Sequence, residues 1–284
     1  SLGVQDFTPE VQEAVRRVQS FELTRDLVES GRGLGYGSVN IDLIYGLPYQ
    51  HAAGFARTLD QVISLRPDRV AVYSFAFVPW IRAHMKHLPQ VSLPPAGLKL
   101  ELLALAIESF TAAGYRQIGM DHFALPDDEL ARAVDARSLR RNFMGYTVQA
   151  AGDMVALGVS GIGDVRGTFV QNAKKLSEYY AALDAGRFPI ERGYSLDRDD
   201  EIRRHVIAEL MRHAHLDVAD VEPGARRVRV HVEAVELGRV RGRIPGAEGA
   251  VLFPVLLPAG LDLVERIVRA HGLIGGWRER DVRS

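Results

Sequence analysis

Residues 39–77, VNIDLIYGLPYQHAAGFARTLDQVISLRPDRVAVYSFAF, decide how the rest of the chain is read. Val39 to Leu47 is an apolar run of strand length, closed by Gly46-Leu47-Pro48. Phe55, Leu59, Val62 and Ile63 then recur at i, i+4, i+7 and i+8, the stripe of a helix that buries one face. Arg69 to Phe77 returns to strand texture. Two apolar strands joined by a helix of that length run parallel, because a parallel neighbour can be reached only by a crossover.

The alternation continues on both sides. Upstream, the first residues read as the interior of a strand, and Thr8-Pro9-Glu10 starts a helix with a capping hydroxyl and proline at its first position. Leu23, Leu27 and Val28 mark one face of a second helical stretch. Downstream, Leu88 to Gly97 is a loop, and Leu103, Ile107 and Phe110 mark a helix ending near Gly114. Tyr115 to Met120 is strand-like, Asp127 to Arg137 helical, Met154 to Val159 a strand, and Ala173 to Leu183 a helix with Gly186 beyond it. The expected class is α/β: a parallel sheet covered by helices, either open or part of a barrel.

From about Phe188 the rhythm changes. Arg198-Asp199-Asp200 leads a helix with Ile202, Val206, Ile207 and Leu210 inward, so a division into 1–187 and a smaller, mainly helical domain at 188–284 is expected. Beyond Val221 arginine, valine and glycine abound, and Lys, Asn, Gln, Thr and Tyr are missing. That tail reads as a divergent helical and winged module or as poorly ordered.

The chain has 284 residues, 47% apolar and 25% charged, enough for a sizeable core and, at about 150 residues per domain, for two domains or a barrel with an appendage. A net charge of -1 gives non-specific nucleic-acid binding no electrostatic basis. The absence of cysteine excludes a disulfide scaffold, a thiolate nucleophile, a zinc-thiolate site and any iron-sulfur cluster ligated by cysteines of this chain. The longest apolar stretch, Ala250 to Val264, is broken by Pro254, Pro258 and Asp262, so no membrane span is expected. Ser1 to Gln5 lacks a starting Met and a basic leader, and a start in mid-strand leads us to expect that upstream protein is left out.

Polar residues at the carboxyl ends of parallel strands project into the site, which yields a short list. Gln5 and Asp6 close the first strand, Asp42 stands amid Ile41, Leu43 and Ile44, and Asp121 and His122 follow the strand ending at Met120. A carboxylate in so apolar a strand needs a partner, which an ordinary salt bridge or capped turn would supply as well as a ligand. Arg17 beside Arg16 would by itself be solvated charge. The histidines form no metal-ligand pattern, so no metal site is expected from them. Gly158-Val159-Ser160-Gly161-Ile162-Gly163 lacks the spacing of a dinucleotide fingerprint and reads better as a tight turn or a close backbone approach. No phosphate-binding loop or serine-nucleophile motif is present.

Several segments together resemble one family, the oxygen-independent coproporphyrinogen III oxidases of the radical S-adenosylmethionine superfamily. They are GVQDF (Gly3 to Phe7), NIDLIYGLP (Asn40 to Pro48), GMDHFALPDDELA (Gly119 to Ala131), RNFMGYT (Arg141 to Thr147), LGVSGIG (Leu157 to Gly163) and RDDEIRRHVI (Arg198 to Ile207), in the family's order, covering about Ser1 to Val218. The resemblance implies the C-terminal part of a partial (β/α)6 barrel. It implies two molecules of S-adenosylmethionine, a 4Fe-4S cluster and a 5'-deoxyadenosyl radical that takes hydrogen from the β-carbon of a substrate propionate. Loss of carbon dioxide and an electron leaves a vinyl group, and two rounds turn coproporphyrinogen III into protoporphyrinogen IX in cytoplasmic haem biosynthesis. A reductant such as flavodoxin or ferredoxin and a monomeric state are implied as well.

By position, Gln5, Arg17, Asp42 and Ala76 look like the family's contacts to a second S-adenosylmethionine and Ile162 like a contact to the one at the cluster. Asp121, His122 and Asn142 are candidates for the substrate side. The family's C-x3-C-x2-C cluster loop would precede Ser1, which makes the fragment alone expectedly inactive. After Val218 the family pattern is lost, and a frame-shifted reading would explain the tail's composition. Two alternatives remain. The sister haem chaperones resemble GVQSF followed by LGR-x-H, against Asp6 and Val15-Arg16-Arg17-Val18 here. A non-catalytic remnant would bind a tetrapyrrole or an adenosyl ligand only.

Overall fold

A computed structural model describes residues 1–142 and 144–213, and beyond them the strands within 215–217, 229–236, 239–243 and 251–254. In chain order the first half holds β1 (Leu2–Gln5), α1 (Pro9–Ala14), α2 (Phe21–Gly33), β2 (Asn40–Tyr45), α3 (Ala52–Leu65), β3 (Arg69–Ser74), α4 (Ala96–Ala112), β4 (Arg116–Ile118), β5 (His122–Ala124) and α5 (Glu129–Asp135). The sheet order is β1-β2-β3-β5-β4. β1, β2 and β3 are parallel, as the stretch 39–77 predicts. The strand expected at Tyr115 to Met120 folds back instead: β4 pairs antiparallel with β5, and β5 antiparallel with β3. The reason is local. Gly119 takes φ +59, and the chain turns at Gly119–Asp121, so His122 lies within a strand rather than after one.

Period-two burial on β2 sorts the two faces, whereas on β3 Val70, Ala71 and Val72 are buried in succession. Ile41, Leu43, Tyr45, Val70 and Val72 enter a core with Phe55, Leu59 and Val62 of α3 and Leu102, Ala106 and Phe110 of α4. Residues of the opposite face, Asn40, Asp42 and Ile44, are half-buried. On α2 the buried stripe is Thr24 and Val28, one helical repeat apart, whereas Leu23 and Leu27 are exposed. Thr8 does cap α1 by position, but its hydroxyl makes no cap bond; proline at the start does that helix's pre-organising.

The second half holds β6 (Arg140–Asn142), β7 (Gly145–Thr147), β8 (Ile162–Val165), β9 (Thr168–Asn172), α6 (Leu176–Asp184), β10 (Ile190–Ser195) and α7 (Arg198–His213). The strand expected at Met154 to Val159 is reduced to one bridge, Met154 to Asp164. Gly158 at φ +91 and Ser160 at φ 57 turn the chain there. Gly163 needs its missing side chain: a Cβ would stand 2.9 Å from Met154 O and 3.0 Å from Val170 Cγ2.

β10 lies past the expected boundary at 187/188, yet it pairs with β9 in a sheet of order β10-β9-β8. The expected helix at Arg198 is α7, with Val206 buried. After it come β11 (His215–Asp217), β12 (Arg229–Glu236), β13 (Arg239–Arg243) and β14 (Val251–Pro254), paired antiparallel in that order. Among the described residues after 187, α7 is therefore accompanied by strands; the alternation Arg229-Val230-His231-Val232 has strand period. Most of the tail from about 221 lies outside the described residues.

Candidate functional site

One row of residues crosses the five-stranded sheet on the face opposite the main core: Gly3 beside Asp42, Asp42 beside Ala71, Ala71 beside His122, and His122 beside Ile118, where a second, smaller core with Leu130 and Leu139 covers the sheet. Gly3 is the floor of a small polar nest. A Cβ built there would stand 2.7 Å from Gln5 Nε2 and 3.0 Å from an Arg17 guanidinium nitrogen. Gln5 can reach back over Gly3 because the strand register slips between the two and Gln5 adopts φ 69. Asp42 Oδ1 accepts from Asn40 Nδ2 (2.7 Å) and Oδ2 from Ser1 Oγ (3.1 Å). Arg17 is exposed and makes no ion pair among the described residues. Gln5, Arg17 and Asp42 thus converge from β1, the segment after α1, and β2.

Asp6, also on the list of polar strand ends, has a different task. Its buried carboxylate accepts from Thr8 N (2.6 Å), Thr58 Oγ1 (3.0 Å) and Gln50 Nε2 (2.6 Å). Gln50 Oε1 in turn accepts from the N–H groups of Gly46 (2.6 Å) and Leu47 (3.0 Å). This network ties the loop after β1 to the loop after β2 and so fixes the rim on which the nest sits. Lys99 adds a staple after β3, donating to Phe75 O (3.0 Å), and burial lowers its pKa.

Further along the same face, His122 stands between two phenols, its ring 5.7 Å from that of Tyr73 and 5.1 Å from that of Tyr146, both edge-to-face. His122 Nδ1 lies 2.7 Å from Asp121 Oδ1. Tyr146 is fixed at its hydroxyl, which accepts from Met120 N (3.1 Å) and donates to Met211 O (3.0 Å). The pKa of Tyr73 is raised by burial and by the charges of Asp42 and Asp121, and that of Tyr146 by burial first. Tyr73 therefore links the field of Asp42 to that of Asp121 across one surface.

Of the other expected residues, Ala76 is exposed just past β3. Ile162 opens β8, in a different sheet from Gln5 and Asp42. Asn142 is exposed, and its Oδ1 accepts from Met144 N (2.8 Å) to close the turn between β6 and β7. Sequence reasoning missed Tyr73, Gln50 and the pairing of Arg141 with Tyr146. Tyr73 could have been found, since it is two residues beyond Ala71 on a strand of readable period; the others depend on turns. Among the described residues no group of three or more His, Asp or Glu could hold a metal, and no helix is long and apolar enough to cross a membrane.

No protein-family model matches the chain. The oxygen-independent coproporphyrinogen III oxidase of Pseudomonas aeruginosa is 49% identical over 222 residues, 78% of this chain and 48% of that protein. The anaerobic coproporphyrinogen III oxidase 1 of Cereibacter sphaeroides is 40% identical over 241 residues, 83% of this chain and 53% of that protein. The solved structure of coproporphyrinogen III oxidase from Escherichia coli, described as a radical SAM enzyme, superposes with a TM-score of 0.74 at 44% identity, covering 78% of this chain and 51% of that one.

The structural match defines the fold as a portion of a radical-SAM α/β barrel with a further C-terminal part. Within that class the chain is similar to the oxygen-independent coproporphyrinogen III oxidases, and it spans about half the length of the curated relatives it matches.

Proposed function

We propose that this chain is the portion of an oxygen-independent coproporphyrinogen III oxidase that holds an adenosyl ligand and the tetrapyrrole, in the conversion of coproporphyrinogen III to protoporphyrinogen IX in haem biosynthesis. The observation that carries this reading is the nest over Gly3. Arg17, with no ion-pair partner among the described residues, suits a carboxylate in a two-pronged fork. Gln5 and Asp42 offer an amide and a carboxylate to an amino group and ribose hydroxyls, and glycine leaves the floor open. Those are the polar groups of S-adenosylmethionine. Ala76 just past β3 and Ile162 on β8 are proposed as further contacts, Ile162 to the other adenosyl molecule, the one the family holds at its cluster.

A 4Fe-4S cluster does not fit these 284 residues, which contain no cysteine. By themselves they are proposed to bind ligands without turnover. Asp121, His122 and Asn142 are proposed on the tetrapyrrole side. A flavodoxin or ferredoxin reductant, a monomeric state and a cytoplasmic location complete the reading by family resemblance.

Calorimetric titration with S-adenosylmethionine tests it. Arg17→Ala and Asp42→Ala should each weaken binding about tenfold or more, the size expected for a charge-assisted contact. No binding to the unaltered chain, or equal affinity in both folded variants, would overturn the assignment.

A further inference from the structure

The hairpin of β6 and β7 places Arg141 directly opposite Tyr146, so both side chains stand on one face of the hairpin. The Arg141 guanidinium carbon lies 5.7 Å from the centre of the Tyr146 ring. Its charge also reaches Tyr73, opposing there the negative charges of Asp42 and Asp121. Arg141 is exposed and forms no ion pair among the described residues. Its neighbours are the edge-to-face rings of Tyr146, His122 and Tyr73, an aromatic wall on the sheet face opposite the main core, beside the smaller core of Ile118 and Leu130.

We infer that Arg141 is a binding residue for a propionate carboxylate of the tetrapyrrole, its guanidinium set at the edge of the aromatic wall formed by Tyr73, His122 and Tyr146. This rests on the reading above that the chain takes a tetrapyrrole. An apolar ring system carrying isolated carboxylates matches a row of three aromatic rings, set edge to face, with a guanidinium at its margin that makes no ion pair among the described residues. A polyphosphate matches poorly, because Asp42 and Asp121 face the same surface and would repel dense negative charge. The wall is rigid where it meets the cation. The Tyr146 hydroxyl is held at both Met120 N and Met211 O, so the guanidinium stacked on that ring is pre-positioned. A purely structural Arg141 would support the ring and be indifferent to whether a bound tetrapyrrole carries charge.

The test uses the whole 284-residue chain and two stable probes, coproporphyrin III and its tetramethyl ester, followed by porphyrin fluorescence. Arg141→Ala should weaken coproporphyrin III about tenfold or more and leave the ester unchanged within about twofold. Arg141→Lys should recover part of the loss, since charge without the planar fork is retained. Arg140→Ala, across from Thr147 and next along the strand, should change neither probe. Equal weakening of acid and ester, or no weakening of the acid, overturns the role of Arg141 while leaving the tetrapyrrole reading standing. Failure of the unaltered chain to bind coproporphyrin III overturns both.

Discussion

Asp6 and Gly3 sit three residues apart and show opposite uses of a single position. The Asp6 carboxylate accepts three hydrogen bonds inside the protein, and every partner is a donor. Asp6→Asn replaces one oxygen by a donor, which must then confront Gln50 Nε2 or the Thr8 and Thr58 donors. A buried donor left without an acceptor costs about 1–3 kcal/mol, so urea denaturation should show a loss of about 2 kcal/mol with an unchanged m-value. Gly3→Ala acts on ligand affinity instead. The new Cβ meets the far ends of Gln5 and Arg17, which can swing aside, so stability should fall by less than about 1 kcal/mol. Displacing both groups should weaken S-adenosylmethionine about tenfold by titration. A variant that lost stability and kept its affinity would show that Gln5 and Arg17 do not hold the ligand.

Elements meet at Gly119. A Cβ there would collide with the Tyr146 hydroxyl and lie 2.8 Å from Met211 O, where the chain also takes a left-handed conformation. Gly119→Ala therefore strains the β4–β5 turn and unseats the ring on which Arg141 stacks. A loss of about 2–4 kcal/mol is expected from overpacking combined with the unfavourable backbone, measured as a lower thermal midpoint. The same turn marks where the sequence stops being readable. From Val39 to Phe77 two apolar runs of strand length flank a helix of period 3.6, and structure and expectation agree within a few residues. Gln5, Arg17 and Asp42 were legible as candidates, but the glycine on which they meet was not, and their meeting depends on a register slip that no spacing reveals. From β4 to β7 the strands are three residues long, too few for period to speak, and a glycine at positive φ reverses one of them. The pairing of Arg141 with Tyr146 follows from hairpin register alone. Asn142 could be singled out by its motif, but its use in closing the turn shows only in three dimensions.

The whole molecule carries an alkaline liability, distributed over phenols on both faces of the main sheet. Burial raises the pKa of Tyr45, Tyr73 and Tyr146, and that of Tyr115 to about 12. Tyr115 is 3% exposed, packs against Phe110 in the main core and donates to Pro67 O at 2.7 Å. The direction of the linkage follows from which state keeps the proton. Between about pH 10 and 12 the unfolded chain has released it while the folded chain still holds it, so stability falls as pH rises. Below about pH 10 the neutral phenol contributes fully. The Tyr115 share of the loss is about 2 kcal/mol across that window. Tyr115→Phe removes the ionising group and also leaves the Pro67 carbonyl without its donor, which costs about 1–2 kcal/mol at neutral pH. Unfolding midpoints in urea from pH 7 to 12 should then give the variant a lower value at pH 7 and a shallower alkaline decline, with the two curves converging near the top of the range. Parallel curves would mean that Tyr115 ionises alike in the folded and unfolded states, and that the alkaline limit belongs to the other three phenols.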